Sequence, residues 1–490
     1  MAAGHLSAHD LAASYLRRIK QLDQNGPALG SMLELNPDAL ADAAALDVER
    51  GISGPRGPLH GIPIVLKGNI DTADRMQTTA GSAALAGHIA AQDAFLVSRL
   101  RDAGVVILGK SNLSEWANFR SSRSTSGWSS LGGQTRNPYA LDRNPCGSSS
   151  GSAVAVAANL CSTAVGTETD GSIVCPAHTN GIVGIKPTVG LVSRSGIIPI
   201  SSSQDTAGPM ARTVEDAAIL LGAMSGIDPR DEATLDAEGM IFTDYTQFLD
   251  PSGLRDARIG VARNLFGFSP RVDQIMQACI DTLKRQGADV VDPVHLAGKD
   301  EIKQVEKEVL LYEFKDGLNK YLATVAPHLA VHTLAELIAF NQSKREQIMP
   351  FFGQGVLHKS EAKGPLSDIA YREARDACLR LARNQSIDAT MKEHKLHAIL
   401  APTGAPAWPT DLVNGDPSIA SCSRYAAVAG YPHITVPAGS VFGLPVGVSF
   451  FASAYQEPML IKLAYAFEQA THARRPPTFL PTVDLDLTNQ

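Results

Sequence analysis

A chain of 490 residues that is 44 % apolar and 19 % charged has enough apolar side chains for one large core or two ordinary ones. Its net charge is −7 and it carries no run of like charges, so the basic footprint of a nucleic-acid binder is absent. No stretch reaches the roughly 18 consecutive apolar residues of a membrane span. The N-terminus also lacks a secretory signal; the expectation is a cytoplasmic protein, or a periplasmic or secreted one whose leader was removed before residue 1.

Ser7 and Asp10 start a helix with an apolar stripe of Leu11, Tyr15, Ile19 and Leu22, which Gly26-Pro27 stops. Ala39 to Glu49 reads as a second helix. The run Gly61-Ile-Pro-Ile-Val-Leu66 reads as a strand with Lys67 at its exit. A helix over 93–103 and a buried strand over 105–108 follow. Residues 114–146 are polar and glycine-rich, and an irregular segment of that length is usually functional. Residues 152–161 are small and apolar, which suits a helix packed closely on a sheet. Strands are predicted at 164–166 and 181–186, a helix at 214–224, a strand at 258–262, a helix at 272–285 and a strand at 288–291. The stretch 300–395 is helical by periodicity, with solvated Lys/Glu faces. Strands return at 398–400, 433–436 and 445–450, before an amphipathic helix over 458–473.

Strands thus alternate with helices without a Pro/Ser/Gly linker. The pattern predicts one α/β domain over 1–490, a large mixed sheet flanked by helices on both faces, with a mostly helical insertion or cap at about 300–395. The six cysteines are Cys146, Cys161, Cys175, Cys279, Cys378 and Cys422. They form no CxxC pair and are too sparse for a disulfide framework, so buried free thiols are expected.

The chemistry concentrates in two glycine-bracketed turns, Cys146-Gly-Ser148-Ser149-Ser150-Gly-Ser152 and Gly166-Thr-Glu-Thr169-Asp170-Gly171-Ser172. A small-residue helix and a short strand join them and can fold one turn against the other. Gly171 lets the backbone N–H groups from Thr169 to Ser172 converge into a nest for a developing oxyanion. Either turn alone reads as an ordinary loop with capping serines; the pair, with Lys67 upstream, reads as a nucleophile site. A serine hydroxyl attacks only once a base takes its proton. Neither turn carries histidine, and a lysine serves if burial depresses its pKa toward neutral. Lys67 follows an apolar strand and has no acidic neighbour until Asp71.

Two other patterns compete. Gly147-Ser-Ser149-Ser-Gly151 spells the G-x-S-x-G elbow, which would make Ser149 the nucleophile and His433 a candidate partner, but a turn rather than a strand precedes it. Gly104 to Ser111 spells a Walker A pattern, but the four apolar residues between its glycines are a strand, not a phosphate loop.

The conjunction of Gly61-Ile-Pro63 and Lys67, Gly109-Lys-Ser-Asn112, Gly147 to Ser152, Gly166 to Ser172, Gly184-Ile-Lys-Pro187, Asp205-Thr-Ala-Gly-Pro209, Ala211-Arg212, Gly430-Tyr-Pro432 and Gly443-Leu-Pro-Val-Gly447 resembles the amidase signature family. The resemblance implies an amide hydrolase working through a Ser–cis-Ser–Lys triad and an acyl-enzyme, without a metal, nucleotide or other cofactor. Carried over, Ser172 is the nucleophile, Ser148 the relay and Lys67 the base. The oxyanion hole maps onto the backbone N–H groups of Thr169, Asp170, Gly171 and Ser172.

Within the family the chain is most similar to bacterial peptide amidases, which remove the C-terminal amide of peptides; Asn112 to Arg120 and Ser172-Ile-Val-Cys175 carry much of that likeness. Alternatives are an anilide, aryl ester or carbamate hydrolase on the same scaffold, and the glutaminase component of a tRNA-dependent amidotransferase. Three positions depart from the common pattern. Gly68 stands where many members have Asp, Ser150-Gly151 replaces Gly-Gly, and Val174 replaces an Arg, which argues against a small carboxylate-bearing acyl group. A small-molecule or peptide amide substrate and a monomer or homodimer are expected. Trp116, Asn118, Phe119, Ser149 and Gln204 are the candidate substrate-binding residues, with Trp128 and Arg120 also near the entrance; Trp116 and Phe119 read equally as core. Tyr312, Phe314, Phe340 and Phe351 are candidates for the wall of the pocket.

Overall fold

A computed structural model describes residues 1, 4–418 and 420–485. Its strands, in chain order, are β1 (Met32–Leu35), β2 (Pro63–Lys67), β3 (Val106–Ser111), β4 (Trp128–Ser129), β5 (Gly133–Gln134), β6 (Thr163–Glu168) and β7 (Val183–Lys186). They continue as β8 (Thr206–Ala211), β9 (Arg258–Ala262), β10 (Asp289–Val294), β11 (Ala398–Pro402), β12 (His433–Val441) and β13 (Leu444–Phe451). All but the β4–β5 hairpin join one sheet in the order β1-β3-β2-β6-β8-β7-β12-β13-β11-β9-β10. β3, β2 and β6 run parallel, as do β11, β9 and β10; the strands between β6 and β11 are antiparallel to their neighbours. The sheet is therefore mixed, and strands from both ends of the sequence share it.

Strand alternation divides the core between two faces. Ile64, Leu66 and Ile107 pack with the helices Phe95–Asp102 and Val214–Met224. Val65, Val106 and Leu108 point the other way, against the helices Ala8–Arg18, Ala39–Ser53 and Ser150–Ala157. The helix Ser150–Ala157 is built of small residues, all buried, which lets its backbone lie close to the sheet. Helices occupy most of the span from Lys299 to His394, beginning with the 24-residue helix Lys299–Leu322. Among the described residues no helix is long and apolar enough to cross a membrane.

Several elements were not legible. β8 carries Gly208 and Pro209, residue types that strands disfavour, yet it lies inside the sheet with Val165 opposite Pro209. A Cβ on Gly208 would come within 2.0 Å of the Ile185 carbonyl oxygen, so the close approach of β7 demands glycine there. β1, the β4–β5 hairpin and the helix Val174–Thr179 are too short for periodicity to reveal. The Walker-like pattern falls largely within β3, and Lys110 Nζ donates to the Ile70 carbonyl and the Thr78 hydroxyl at 2.6 and 3.1 Å. The cysteine expectation is corrected: Cys146 and Cys175 are disulfide-bonded, and only Cys161, Cys279, Cys378 and Cys422 are free and buried. Sparse cysteines exclude a framework of bridges but not a single one between two turns.

After the last helix, Glu457–Thr471, the chain returns along the segment that leads into the first serine turn. Phe479 N–H donates to the Pro138 carbonyl at 3.0 Å and Leu141 N–H to the Leu480 carbonyl at 2.8 Å. Tyr139 Oη donates to the Arg475 carbonyl at 2.5 Å.

Candidate active site

β2 and β6 are parallel neighbours, so their C-terminal ends open on the same side of the sheet, where α/β proteins usually bind ligands. β2 ends on Lys67, which is fully buried. Its Nζ donates to Ser148 Oγ at 2.8 Å, to Thr167 Oγ1 at 2.8 Å and to the Thr167 carbonyl at 3.1 Å. Thr167 is on β6, so strand pairing itself brings it to the lysine. Among the described residues Lys67 forms no ion pair. Burial pushes its amine down to about 7, against the pull of Asp205 and Glu168.

The serine turns are locked together by backbone. Ser149 N–H donates to the Ser172 carbonyl at 3.1 Å, and Ser114 N–H to the Ser148 carbonyl at 3.2 Å. The Gly147–Ser148 peptide is cis. Cys146, just before it, is joined to Cys175, three residues after Ser172, so a covalent bond spans the two turns. Ser149 Oγ donates to the Thr167 carbonyl at 3.0 Å and accepts from Thr167 N–H at 3.2 Å. Ser150 Oγ donates to the Cys146 carbonyl at 2.5 Å and Ser152 Oγ to the Val165 carbonyl at 3.1 Å. Among the motif serines, only Ser148 is in hydrogen-bond contact with the lysine.

Ser172 is 8 % exposed and lies just before the helix Val174–Thr179. Glu168 Oε2 accepts from Ile173 N–H and Val174 N–H at 2.7 and 3.0 Å, which fixes the start of that helix. Gly171 adopts φ +81°. Among the described residues, the backbone N–H groups of Asp170, Gly171 and Ser172 have no acceptor. Three consecutive backbone donors are thus unpaired beside Ser172.

A cleft of about 610 Å³ opens on this turn, lined by Asn118, Ser126, Gly147, Asp170, Gly171, Arg424 and the disulfide. Lys299, Asp300 and Lys303, from the first long helix after β10, stand at its border. A second cavity of about 350 Å³ is lined by Thr169, Asn69, Thr167, Ile198, Ile200 and Tyr321.

The candidate substrate residues scatter. Asn118 lines the cleft and carries a buried carboxamide oxygen without a partner. Trp116 is 1 % exposed inside an apolar cluster, so its indole is core rather than entrance. Phe119 packs on Phe314 at 4.9 Å between ring centroids, and Phe314 is itself fully buried. Arg120 is no free anchor: it is buried, paired to Glu115 at 2.9 Å and stacked on Trp128 and Phe352. Ser149 and Gln204 hold backbone rather than face the cleft; Gln204 Nε2 donates to the Thr169 carbonyl at 3.1 Å. A Cβ on Gly68, where the common pattern has aspartate, would press on the movable end of Leu33 (Cδ1 at 2.7 Å) and sit 3.1 Å from the Ser111 carbonyl oxygen, so the position is tightly packed. The contacts of Asp170 with Ser423 and Arg424 went unread, since nothing in the sequence couples positions so far apart.

The family described as Amidase matches residues 10–461. The crystal structure of native peptide amidase from Stenotrophomonas maltophilia superposes with a TM-score of 0.93 at 54 % identity, covering 97 % of this chain and 96 % of that one. A protein named "Probable amidase" from Arabidopsis thaliana is 43 % identical over 97 % of this chain and 89 % of its own length. A glutamyl-tRNA(Gln) amidotransferase component from Pseudomonas syringae pv. tomato is 35 % identical, with 98 % of each chain covered. The chain belongs to the amidase signature family and is an amide hydrolase.

Proposed function

We propose that this enzyme hydrolyses the C-terminal carboxamide of peptides through Ser172, Ser148 and Lys67. The observation that carries the reading is a buried, hydrogen-bonded lysine 2.8 Å from the Ser148 hydroxyl, with its pKa near neutrality. In its neutral form Lys67 takes the Ser148 proton as Ser148 takes that of Ser172. The Ser172 oxygen bonds to the carbonyl carbon, and the resulting oxyanion accepts from the nest N–H groups of residues 169–172. On collapse the C–N bond breaks, the proton returns through Ser148 to the nitrogen, and ammonia leaves. Water then repeats the cycle on the ester and frees the acid. The scheme uses side chains and backbone alone.

The likeness to peptide amidase supports the choice of substrate. A panel of a peptide amide, a nitroanilide, a fatty acid amide, an aryl ester and an aryl carbamate tests it. The peptide amide should give the highest kcat/KM, with ammonia as product; preference for the carbamate or ester would overturn the assignment. Ser172→Ala should abolish turnover, and an active Ser172→Ala enzyme would end the triad reading. The amidotransferase relative supports a second reading, as the glutaminase component of such a complex. Ammonia release from simple amides by the purified single chain decides against it.

A further inference from the structure

The geometry points to a closed ring of side chains that sets the direction of an oxyanion-hole N–H and reaches it from the helix Lys299–Leu322. The ring starts at Asp170, whose carboxylate accepts from Ser423 Oγ at 2.5 Å and pairs with Arg424 Nη2 at 3.3 Å. Arg424 Nε donates to Glu306 Oε2 at 2.7 Å. Glu306 Oε1 accepts from Gln204 Nε2 at 3.2 Å. The same Gln204 nitrogen donates to the Thr169 carbonyl at 3.1 Å, and Thr169 adjoins Asp170, which closes the circuit. Glu306, Gln204 and Ser423 are at most 4 % exposed, so water competes little for these bonds.

The reason such a ring matters is peptide planarity. The Thr169 carbonyl and the Asp170 N–H belong to one rigid amide and point in opposite directions. Holding the carbonyl on Gln204 therefore aims the Asp170 N–H the other way. The turn has no regular hydrogen bonding of its own between β6 and the next helix, and Gly171 leaves it pliant. A second hold on the same turn is independent of the ring: Thr169 Oγ1 donates to Asp205 Oδ1 at 2.5 Å, and Asp205 Oδ2 accepts from Ile200 N–H and Ser201 N–H. Asp170, Arg424, Glu306 and Gln204 are thus positioning residues. They act on the transition state, in which the oxyanion exists, and not on the bound amide, so their loss belongs in kcat.

This inference rests on Ser172 as nucleophile and on the nest as oxyanion hole. The test measures kcat and KM for a peptide amide in Arg424→Gln, Arg424→Lys and Ser423→Ala. It adds inhibition by a peptide aldehyde, which forms a tetrahedral adduct with a serine, and by the product acid, which does not. Removing one oxyanion donor outright costs about 100- to 1,000-fold, so a loosened one in Arg424→Gln should lower kcat about 10- to 100-fold with KM within about threefold. Aldehyde affinity should fall in parallel with kcat/KM while acid affinity stays put, and Arg424→Lys should recover part of the loss. If Arg424→Gln does not fold, Ser423→Ala, which removes a single hydroxyl, carries the same pattern at about 3- to 10-fold, below the loss of a whole donor. A loss confined to KM, or unchanged aldehyde affinity, overturns the ring. An active Ser172→Ala enzyme overturns the underlying mechanism instead, whereas a dead Ser172→Ala beside a fully active Arg424→Gln overturns the ring alone.

Discussion

Lys67 is held wholly out of water. Taking an ammonium wholly out of water is costly, and here no carboxylate touches it; three neutral oxygens are its partners. Burial therefore favours the neutral amine at a pH where free lysine is charged. In the proposed mechanism the neutral form is the active one, so turnover should rise with pH through about 7 and then level off, which a kcat profile from pH 5 to 9 would check. Lys67→Arg stays charged at every accessible pH and should be inactive throughout, with kcat down at least about 1,000-fold. Lys67→Met should be equally inactive yet melt at or above the parent temperature at pH 6, because it removes a buried charge while the Thr167 carbonyl keeps its bond from Ser149; calorimetry reads the difference. At this scale the sequence brought forward Lys67 and Ser148, which do touch, because two glycine-bracketed serine turns downstream of a lysine at a strand exit make a conjunction that ordinary capping loops do not explain. It left Trp116 open between entrance and core and took Arg120 for an entrance anchor, because side-chain type says what a residue offers but not which way the backbone turns it. Trp116, Ala117 and Asn118 all have positive φ, which no propensity announces.

Elements with strong periodicity were legible, and those held by tertiary contact were not. The small-residue helix after the first turn declared itself by composition. β8 did not, because its Gly208-Pro209 pair is shaped by the neighbouring strand rather than by strand propensity. Gly208→Ala should accordingly cost about 2–4 kcal/mol, read as a drop in urea midpoint at constant slope. The disulfide belongs to the same class of hidden constraint. It closes a loop of 29 residues and should contribute about 3–4 kcal/mol by restricting the unfolded chain. Replacing Cys146 and Cys175 together by serine should lower Tm. Thiol titration of the intact, unreduced enzyme in denaturant should find the four free cysteines only.

For the molecule as a whole, the alternation of strands and helices was sufficient to announce a mixed sheet with helices on both faces, but not its strand order. That order depends on pairs such as β12 with β7, whose partners are some 250 residues apart and share no pattern a single sequence exposes. Since the proposed reaction moves its protons through side chains alone, dialysis against a chelator should leave turnover unchanged, as an ammonia-release assay would record. The returning carboxyl end adds a practical consequence. Residues 475–480 clasp the stretch that runs straight into Asn144 and the serine turn beyond it, although none of them lines the cleft. Trimming the protein after the last helix to improve crystals, or grafting a fusion partner at that point, would slacken the approach to Ser148; the tail is better treated by the protein engineer as a buckle than as a loose end.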